Sequence, residues 1–471
     1  MSRAGAGAGG KPGRGGTAVS PARLLAHEVL VRIGADGAYA DRALHAALDR
    51  RALDEREAAL ATELVYGTLR QTLRLDFLLA KLATRSWSKL PMDTLAALRL
   101  GAYQLLHTRV PDHGAVGEAV ALVRRRHEHQ AGFANAILRE LARRRDAGTL
   151  PDPARELGDP IEALAVATAH PRWVLAQVWT ELGEAEARAW AEANNAVAPL
   201  TLRVNPLRAE VAEVAARLTA AGASARPVDG VPGALSVTGG GAPQRLPGFG
   251  EGAFSVQDPA AQLVGHLCAP APESVIVDAC AAPGGKATQL AELMGDRGTV
   301  LAVEVHAGRS RLIAANVERL GLASVVVAIA DATDRTALAQ LLAEHGRAHA
   351  DLVLVDAPCS GMGTLRRNPE LRLRGDERIP ELCALQDRLL DAAAAVVAPG
   401  GALVYAVCTV TREEGPERVR TFLARTPSFA LAPVPEALAR FAAPLDGGVV
   451  LRTWTHRDPM DSFFAARLER H

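Results

Sequence analysis

Residues 274–286 read Ser-Val-Ile-Val-Asp-Ala-Cys-Ala-Ala-Pro-Gly-Gly-Lys. Ser274–Asp278 is a short apolar run of strand type, and the small residues after it lead into a helical pattern over Ala287–Leu293. A strand that breaks at a glycine loop and restarts as a helix opens a βαβ unit. Gly284 and Gly285 lack Cβ atoms, so the backbone can approach a ligand closely and turn the N–H groups of the helix start toward an anion. The alternation then continues: Thr299–Val303 ends at Glu304, Ser324–Ala330 at Asp331 and Asp351–Val355 at Asp356. Glu304 falls where such folds place a carboxylate for ribose hydroxyls, and acidic residues at successive strand ends point to a nucleoside ligand. Lys286 is followed by Ala287 rather than a hydroxyl residue, which disfavours a nucleotide triphosphatase.

Two cysteines fall at the same edge. Cys359 follows the strand that ends at Asp356, within Asp356-Ala357-Pro358-Cys359-Ser360-Gly361, and Cys408 closes the apolar strand that begins at Ala402. In a parallel sheet these ends share the crevice where ligands bind, so Cys359, Cys408 and Asp356 are expected to converge. Cys268 and Cys383 read as small buried hydrophobes. The chemistry that needs a thiol pair beside a nucleoside cofactor is methylation of a pyrimidine ring carbon. Carbon 5 of cytosine is a poor nucleophile until a thiolate adds at carbon 6, and the added sulfur must later leave with loss of the carbon 5 proton. An ordinary thiol is only about 3% ionised at pH 7, so such a site must favour the thiolate or pass its proton to a base. Asp356 cannot stabilise a thiolate by charge, and its expected task is to hydrogen-bond the cytosine edge.

Outward from this region, residues 22–145 carry apolar positions at helical spacing, as in Leu24, Leu25, Val29 and Leu30. Arg124-Arg125-Arg126, Arg139 and Arg143-Arg144-Arg145 form either a phosphate-facing stripe or a solvated helix face. A Pro- and Gly-punctuated middle follows, with strands expected at Thr201–Asn205 and Ala234–Val237 and a helix over Val211–Ala221. Beyond Cys359, Arg366, Arg367, Arg372 and Arg374 either clamp RNA phosphates or lie in a solvated loop. With 471 residues, 49% hydrophobic and 23% charged, the chain can bury ordinary cores, and 4% aromatics disfavour an all-β protein. Lys plus Arg and Asp plus Glu balance at 53 each, so any RNA affinity must come from local patches. The five cysteines are too sparse for a disulfide framework or a CxxC metal knuckle. No metal and no membrane span are expected, and the expected setting is a reducing cytoplasm.

Asp278–Lys286, Asp356–Gly361 and Tyr405-Ala406-Val407-Cys408-Thr409-Val410 resemble the cofactor loop and the two cysteine motifs of the RsmB (Sun, Fmu) type of bacterial small-subunit rRNA cytosine-5 methyltransferases. Phe254–Asp258 is similar to the family segment before the cofactor domain, and Ala115–Leu122 with Gly132–Arg139 resembles its NusB-like RNA-binding domain. The resemblance implies S-adenosyl-L-methionine as cofactor, held by Cys280, Ala281, Ala282, Pro283, Gly284, Gly285, Lys286, Glu304, Asp331 and Asp356. It implies Cys408 as nucleophile and Cys359 as the release cysteine; spacing alone leaves that order open. The chain departs from the pattern at three positions: Glu304 stands for aspartate, Val407 for threonine, and Gly415 for the asparagine of Glu-Glu-Asn.

The implied organisation is a disordered basic Gly-rich tail over residues 1–19, an all-α NusB-like domain over 20–148, a small α/β linker and RNA-binding subdomain over 149–250, and an α/β Rossmann-like methyltransferase domain over 251–471 with a mostly parallel seven-stranded sheet. The expected substrate is small-subunit (16S) ribosomal RNA, and a monomer is the default. The alternatives are a tRNA cytosine-5 methyltransferase and a non-catalytic RNA-binding or antitermination factor, for which the helical domain alone would suffice.

Overall fold

A computed structural model describes residues 18–471. The tail expected over residues 1–19 lies, up to residue 17, outside the described residues. The chain divides into two compact units: the first holds the chain up to Pro171 together with Asn368–Leu373, the second Arg172–Arg367 with Arg374–His471.

The first unit is helical. Pro21–Asp36, Ala40–Asp49, Glu55–Leu82, Met92–His107, Asp112–Arg124 and Ala131–Asp146 each turn an apolar stripe inward, meeting around Leu25, Leu64, Leu75, Leu98 and Leu138. Asp54 starts the longest helix by accepting a hydrogen bond from the Glu57 N–H, one of the donors that a helix start leaves without an intrahelical partner. Much of the basic stripe is internally paired: Arg143 and Arg144 with Glu140, Arg145 with Asp112, and Arg126 with Asp93.

Three of the four arginines after Cys359, Arg366, Arg367 and Arg372, correct the expectation: they are engaged inside the protein rather than free for a phosphate clamp or spread in a solvated loop. Arg372 is 1% exposed and donates to the carbonyls of Arg70 and Ala169. Of these, the Ala169 carbonyl lies just past the end of the helix Pro160–Thr168. Burial and the Arg70 charge push the Arg372 guanidinium down to about 9. In the second unit, Arg367 pairs with Asp258 and Asp461, beside a buried Arg366. These partners lie about a hundred or more residues away along the chain, so no local pattern announces them.

The second unit begins with helices Arg172–Leu182 and Glu184–Ala193 and a small antiparallel sheet. Its strands β1 (Leu200–Val204), β2 (Ser224–Pro227), β3 (Ala234–Thr238) and β4 (Phe254–Val256) lie in the order β2-β3-β1-β4, with the helix Val211–Ala220 packed through Val214 and Leu218. The large sheet holds β5 (Val275–Asp278), β6 (Thr299–Val303), β7 (Val325–Ala328), β8 (Ala350–Asp356), β9 (Val397–Val407), β10 (Phe429–Leu431), β11 (Ala442–Leu445), β12 (Gly448–Arg452) and β13 (Phe464–Arg470). Its order is β11-β12-β13-β9-β8-β5-β6-β7, with β10 on β13, which makes nine strands rather than the seven expected. The mostly parallel core is as expected: β5 to β9 run parallel and β13 is antiparallel to β9. The additional strands are short pieces at the β13 edge, pairing over three and four residues, too brief to register as an alternating pattern.

Strand residues alternate between two cores. Ile276, Val300, Leu354 and Val404 face helices Pro259–Cys268, Gly285–Leu293 and Ala307–Leu320. Val277, Leu301, Val355 and Tyr405 face helices Arg335–Glu344, Ile379–Val396 and Pro416–Arg425. With both faces covered, the strands are apolar throughout, as parallel strands must be. No helix among the described residues is long and apolar enough to cross a membrane.

Candidate active site

The chain runs outward from β5 to β6 and β7, then restarts on the other side of β5 with β8 and β9. The crevice at the carboxyl ends of β5 and β8 is therefore the switch point where open α/β sheets bind ligands. The loop Cys280–Gly284 enters it and the helix starts at Gly285. Gly284 sits at φ 103°, and a Cβ there would come within 3.2 Å of the Ile313 Cα, so both backbone conformation and helix approach require glycine. Glu304, at the end of β6, is 4% exposed; it accepts from the His306 N–H and pairs with Arg309, which also donates to the Ala282 carbonyl. Asp331 stands exposed after β7, holding its loop through the Thr333 N–H and hydroxyl.

At the end of β5, Asp278 is fully buried, and neither carboxylate oxygen completes a side-chain hydrogen bond. Burial, reinforced by the Asp356 charge, pushes its carboxyl up to about 7, against the pull of the Lys286 ammonium. An orphaned buried carboxylate beside a helix start, with acidic residues at the next two strand ends, suits a ligand that carries an ammonium, a carboxylate and ribose hydroxyls. S-adenosylmethionine has these groups, and the residues fit it.

On the other side of the loop, the Lys286 ammonium lies 2.6 Å from an Asp356 carboxylate oxygen and 5.5 Å from the centre of the Phe463 ring. Burial alone would weaken its hold on the proton. The charge and hydrogen bond of Asp356, with the Cys408 sulfur and Asp278 nearby, reverse that and hold Lys286 protonated. The sulfur atoms of Cys359 and Cys408 are 3.4 Å apart. They hang from adjacent strands whose last paired residues are Asp356 and Ala406. Hydrogen bonding to Cys408, then burial, then the charges of Cys408 and Glu414 keep the Cys359 thiol well above its ordinary range. Cys280 is also pushed up, mainly by burial, and Cys268 and Cys383 are buried as expected.

The cofactor-loop residues, Lys286, Asp356 and both cysteines thus meet at one sheet edge, with Glu304 and Asp331 at the neighbouring strand ends. The charged end of Lys286 faces Asp356, with the Cys408 sulfur nearby. Reading by motif missed Asp278 as a site residue, although it ends the strand that opens the loop. It also missed Phe463 and Gly363. Gly363 accepts from the Ser462 N–H and donates to the Cys408 carbonyl, and a Cβ there would lie 1.8 Å from the Ser462 carbonyl oxygen.

Comparison with known proteins places these features in context. A profile described as 16S rRNA methyltransferase RsmB/F matches residues 266–469. A NusB family profile matches 20–143, and a ferredoxin-like domain profile of RsmF/B-like methyltransferases matches 170–242. The chain is 34% identical to a probable ribosomal RNA small subunit methyltransferase B of Synechocystis sp., over 95% of this chain and 99% of that protein. It is 37% identical to ribosomal RNA small subunit methyltransferase B of Pseudomonas putida, over 86% of this chain and 89% of the relative. Among solved structures, PH0851 superposes with a TM-score of 0.80 at 28% identity, covering 97% of this chain and 100% of its own.

Proposed function

The chain belongs to the RsmB/F family of S-adenosylmethionine-dependent rRNA methyltransferases, and on that premise we propose that it methylates carbon 5 of a cytosine in small-subunit (16S) rRNA, in the cytoplasm. Cys408 is the nucleophile and Cys359 the thiol that assists release. The observation that carries this reading is the pair of sulfur atoms 3.4 Å apart beside a protonated lysine. A single cysteine would suffice for packing, and an exocyclic-amine methyltransferase has no use for two thiols.

S-adenosylmethionine, when bound, supplies an electrophilic methyl group to carbon 5. The loop Cys280–Gly285 and Asp278 receive its amino-acid end, and Glu304 and Asp331 its nucleoside. The chain's own residues do the rest. Lys286 lowers the cost of charge on the Cys408 sulfur. That thiolate adds to carbon 6 of the ring, and the electrons of the 5,6 double bond move toward carbon 5, which takes the methyl group. Asp356, tied to Lys286, accepts from the cytosine edge. Solvent water takes the carbon 5 proton, the electron pair of that bond re-forms the 5,6 double bond, the carbon–sulfur bond breaks, and Cys408 leaves as thiolate. Cys359, kept as a neutral thiol, can protonate the departing sulfur. If the target cytosine is stacked, it must be turned out at a cost of a few kcal/mol.

Replacing Cys408 by Ala is expected to abolish methylation without a covalent RNA adduct, whereas Cys359→Ala is expected to accumulate enzyme linked to RNA on denaturing gels. An adduct seen only in the Cys408 variant would reverse the assignment. Bisulfite sequencing of RNA from cells with and without the gene separates small-subunit rRNA from tRNA as substrate.

A further inference from the structure

Between the two cysteine loops lies a charged side chain that the reaction described above does not use. Glu414 is 0% exposed, yet its carboxylate is fully engaged. One oxygen accepts from the Ser360 N–H at 2.8 Å and the Gln386 amide at 3.1 Å. The other accepts from the Ser360 hydroxyl at 2.5 Å and the Thr411 hydroxyl at 2.8 Å. Ser360 follows Cys359 directly, and its hydroxyl also meets that of Thr409, which follows Cys408, at 2.8 Å. Gln386 reaches back to the Pro358 carbonyl, and the Tyr405 hydroxyl donates to the Glu414 carbonyl. One buried carboxylate therefore gathers donors from the residue after the first thiol, from the loop after the second, and from the helix behind both.

We propose that Glu414 is the positioning residue of the thiol pair: it locks the Cys359 loop to the Cys408 loop and so sets the distance and direction at which the two sulfur atoms face the substrate ring. The role rests on the cytosine-5 reading above but is read from the protein alone. A buried carboxylate with four donors is costly to assemble and costly to disturb, because removing it leaves each donor unsatisfied. Packing does not ask for such a group at this point, since an apolar side chain would fill the space. Two loops that each carry a reacting sulfur do ask for it, because misplacing a reacting group by about 1 Å costs about 100-fold in rate. The negative charge also lies on the Cys359 side of the pair while the Lys286 ammonium serves Cys408, which suits two thiols with different tasks.

The test uses the full chain and a short dithiol cross-linker, dibromobimane, which fluoresces when both of its arms are taken up. The wild-type protein is expected to bridge Cys359 to Cys408 without RNA present. Glu414→Ala is expected to lower the bridging rate about tenfold and single-turnover methyl transfer about 100-fold, with S-adenosylmethionine affinity changed less than about twofold. Glu414→Gln, which keeps the shape and one acceptor oxygen, should recover most of the bridging. If Glu414→Ala does not fold, Ser360→Ala and Glu414→Gln carry the comparison. Wild-type bridging and turnover in Glu414→Ala, or in Ser360→Ala where Glu414→Ala does not fold, would overturn the proposal, as would cofactor affinity falling in step with bridging, the mark of a merely structural role. Bridging that depends on Glu414 in a chain that still methylates RNA as Cys408→Ala would instead overturn the cytosine reading and leave the positioning role standing.

Discussion

Asp278→Asn is expected to make the second unit more stable as pH rises, while weakening cofactor binding. The native carboxyl titrates at about 7 against an ordinary 3.8, chiefly because it is buried. A raised native value means that the folded chain holds a proton the unfolded chain has already lost. The stabilisation is complete below the unfolded value and disappears as pH climbs to the native one. Each pH unit in that window is worth about 1.4 kcal/mol, so the full span of about 3 units comes to about 4 kcal/mol. Asparagine has no charge to desolvate. The gap in unfolding free energy between variant and wild type should therefore grow by about 2 kcal/mol from about pH 5.5 to about pH 7, then level off. Urea unfolding read by tryptophan fluorescence measures it, since Trp173, Trp179, Trp190 and Trp454 all lie in the second unit. The same exchange removes the anion assigned to the cofactor's ammonium, so S-adenosylmethionine affinity measured by calorimetry should fall about tenfold or more. A gap that stays flat across this pH range would refute the burial argument for Asp278.

Three further outcomes are expected. Lys286→Gln removes the ammonium beside Cys408 and should slow iodoacetamide alkylation of that thiol at pH 7 about tenfold; an unchanged rate would mean that the lysine does not act on the sulfur. Gly363→Ala places a methyl group against the Ser462 carbonyl and should cost about 2 kcal/mol or more by urea unfolding, whereas a variant as stable as wild type would show that the two loops can separate freely. Arg203→Ala strips Glu292 of its partner in a pair with side chains 3% and 2% exposed, and a loss of about 3 kcal/mol or more is expected; a loss under about 1 kcal/mol would show that solvent reaches the site.

Motif and period carried the reading of the sheet far. Val275–Asp278, Thr299–Val303 and Ala350–Asp356 form where apolar runs end in acidic residues, because a strand covered on both faces has to be apolar along its length. The helix after the loop starts at Gly285 rather than Ala287. Two glycines carry poor helix propensity, so by pattern alone the first helical residues read as loop. Arg367 and Arg372 are not legible in the sequence because a charge run reads as exposed until its partners are known, and Asp258, Asp461 and the carbonyls of Arg70 and Ala169 are remote in sequence.

By itself the sequence determined what is local: the order of strands and helices, the glycine turn, the acidic strand ends, and two cysteines each just past an apolar strand. Only the tertiary structure decided what depends on the pairing of β8 with β9 and on burial. It set the 3.4 Å between the sulfur atoms, paired Lys286 with Asp356 beside the Cys408 sulfur, buried Asp278 completely, and placed Glu414 between the loops. The physical reason is that charge and hydrogen bonding inside a protein are settled by neighbours in space, and those neighbours come from segments that the sequence keeps far apart.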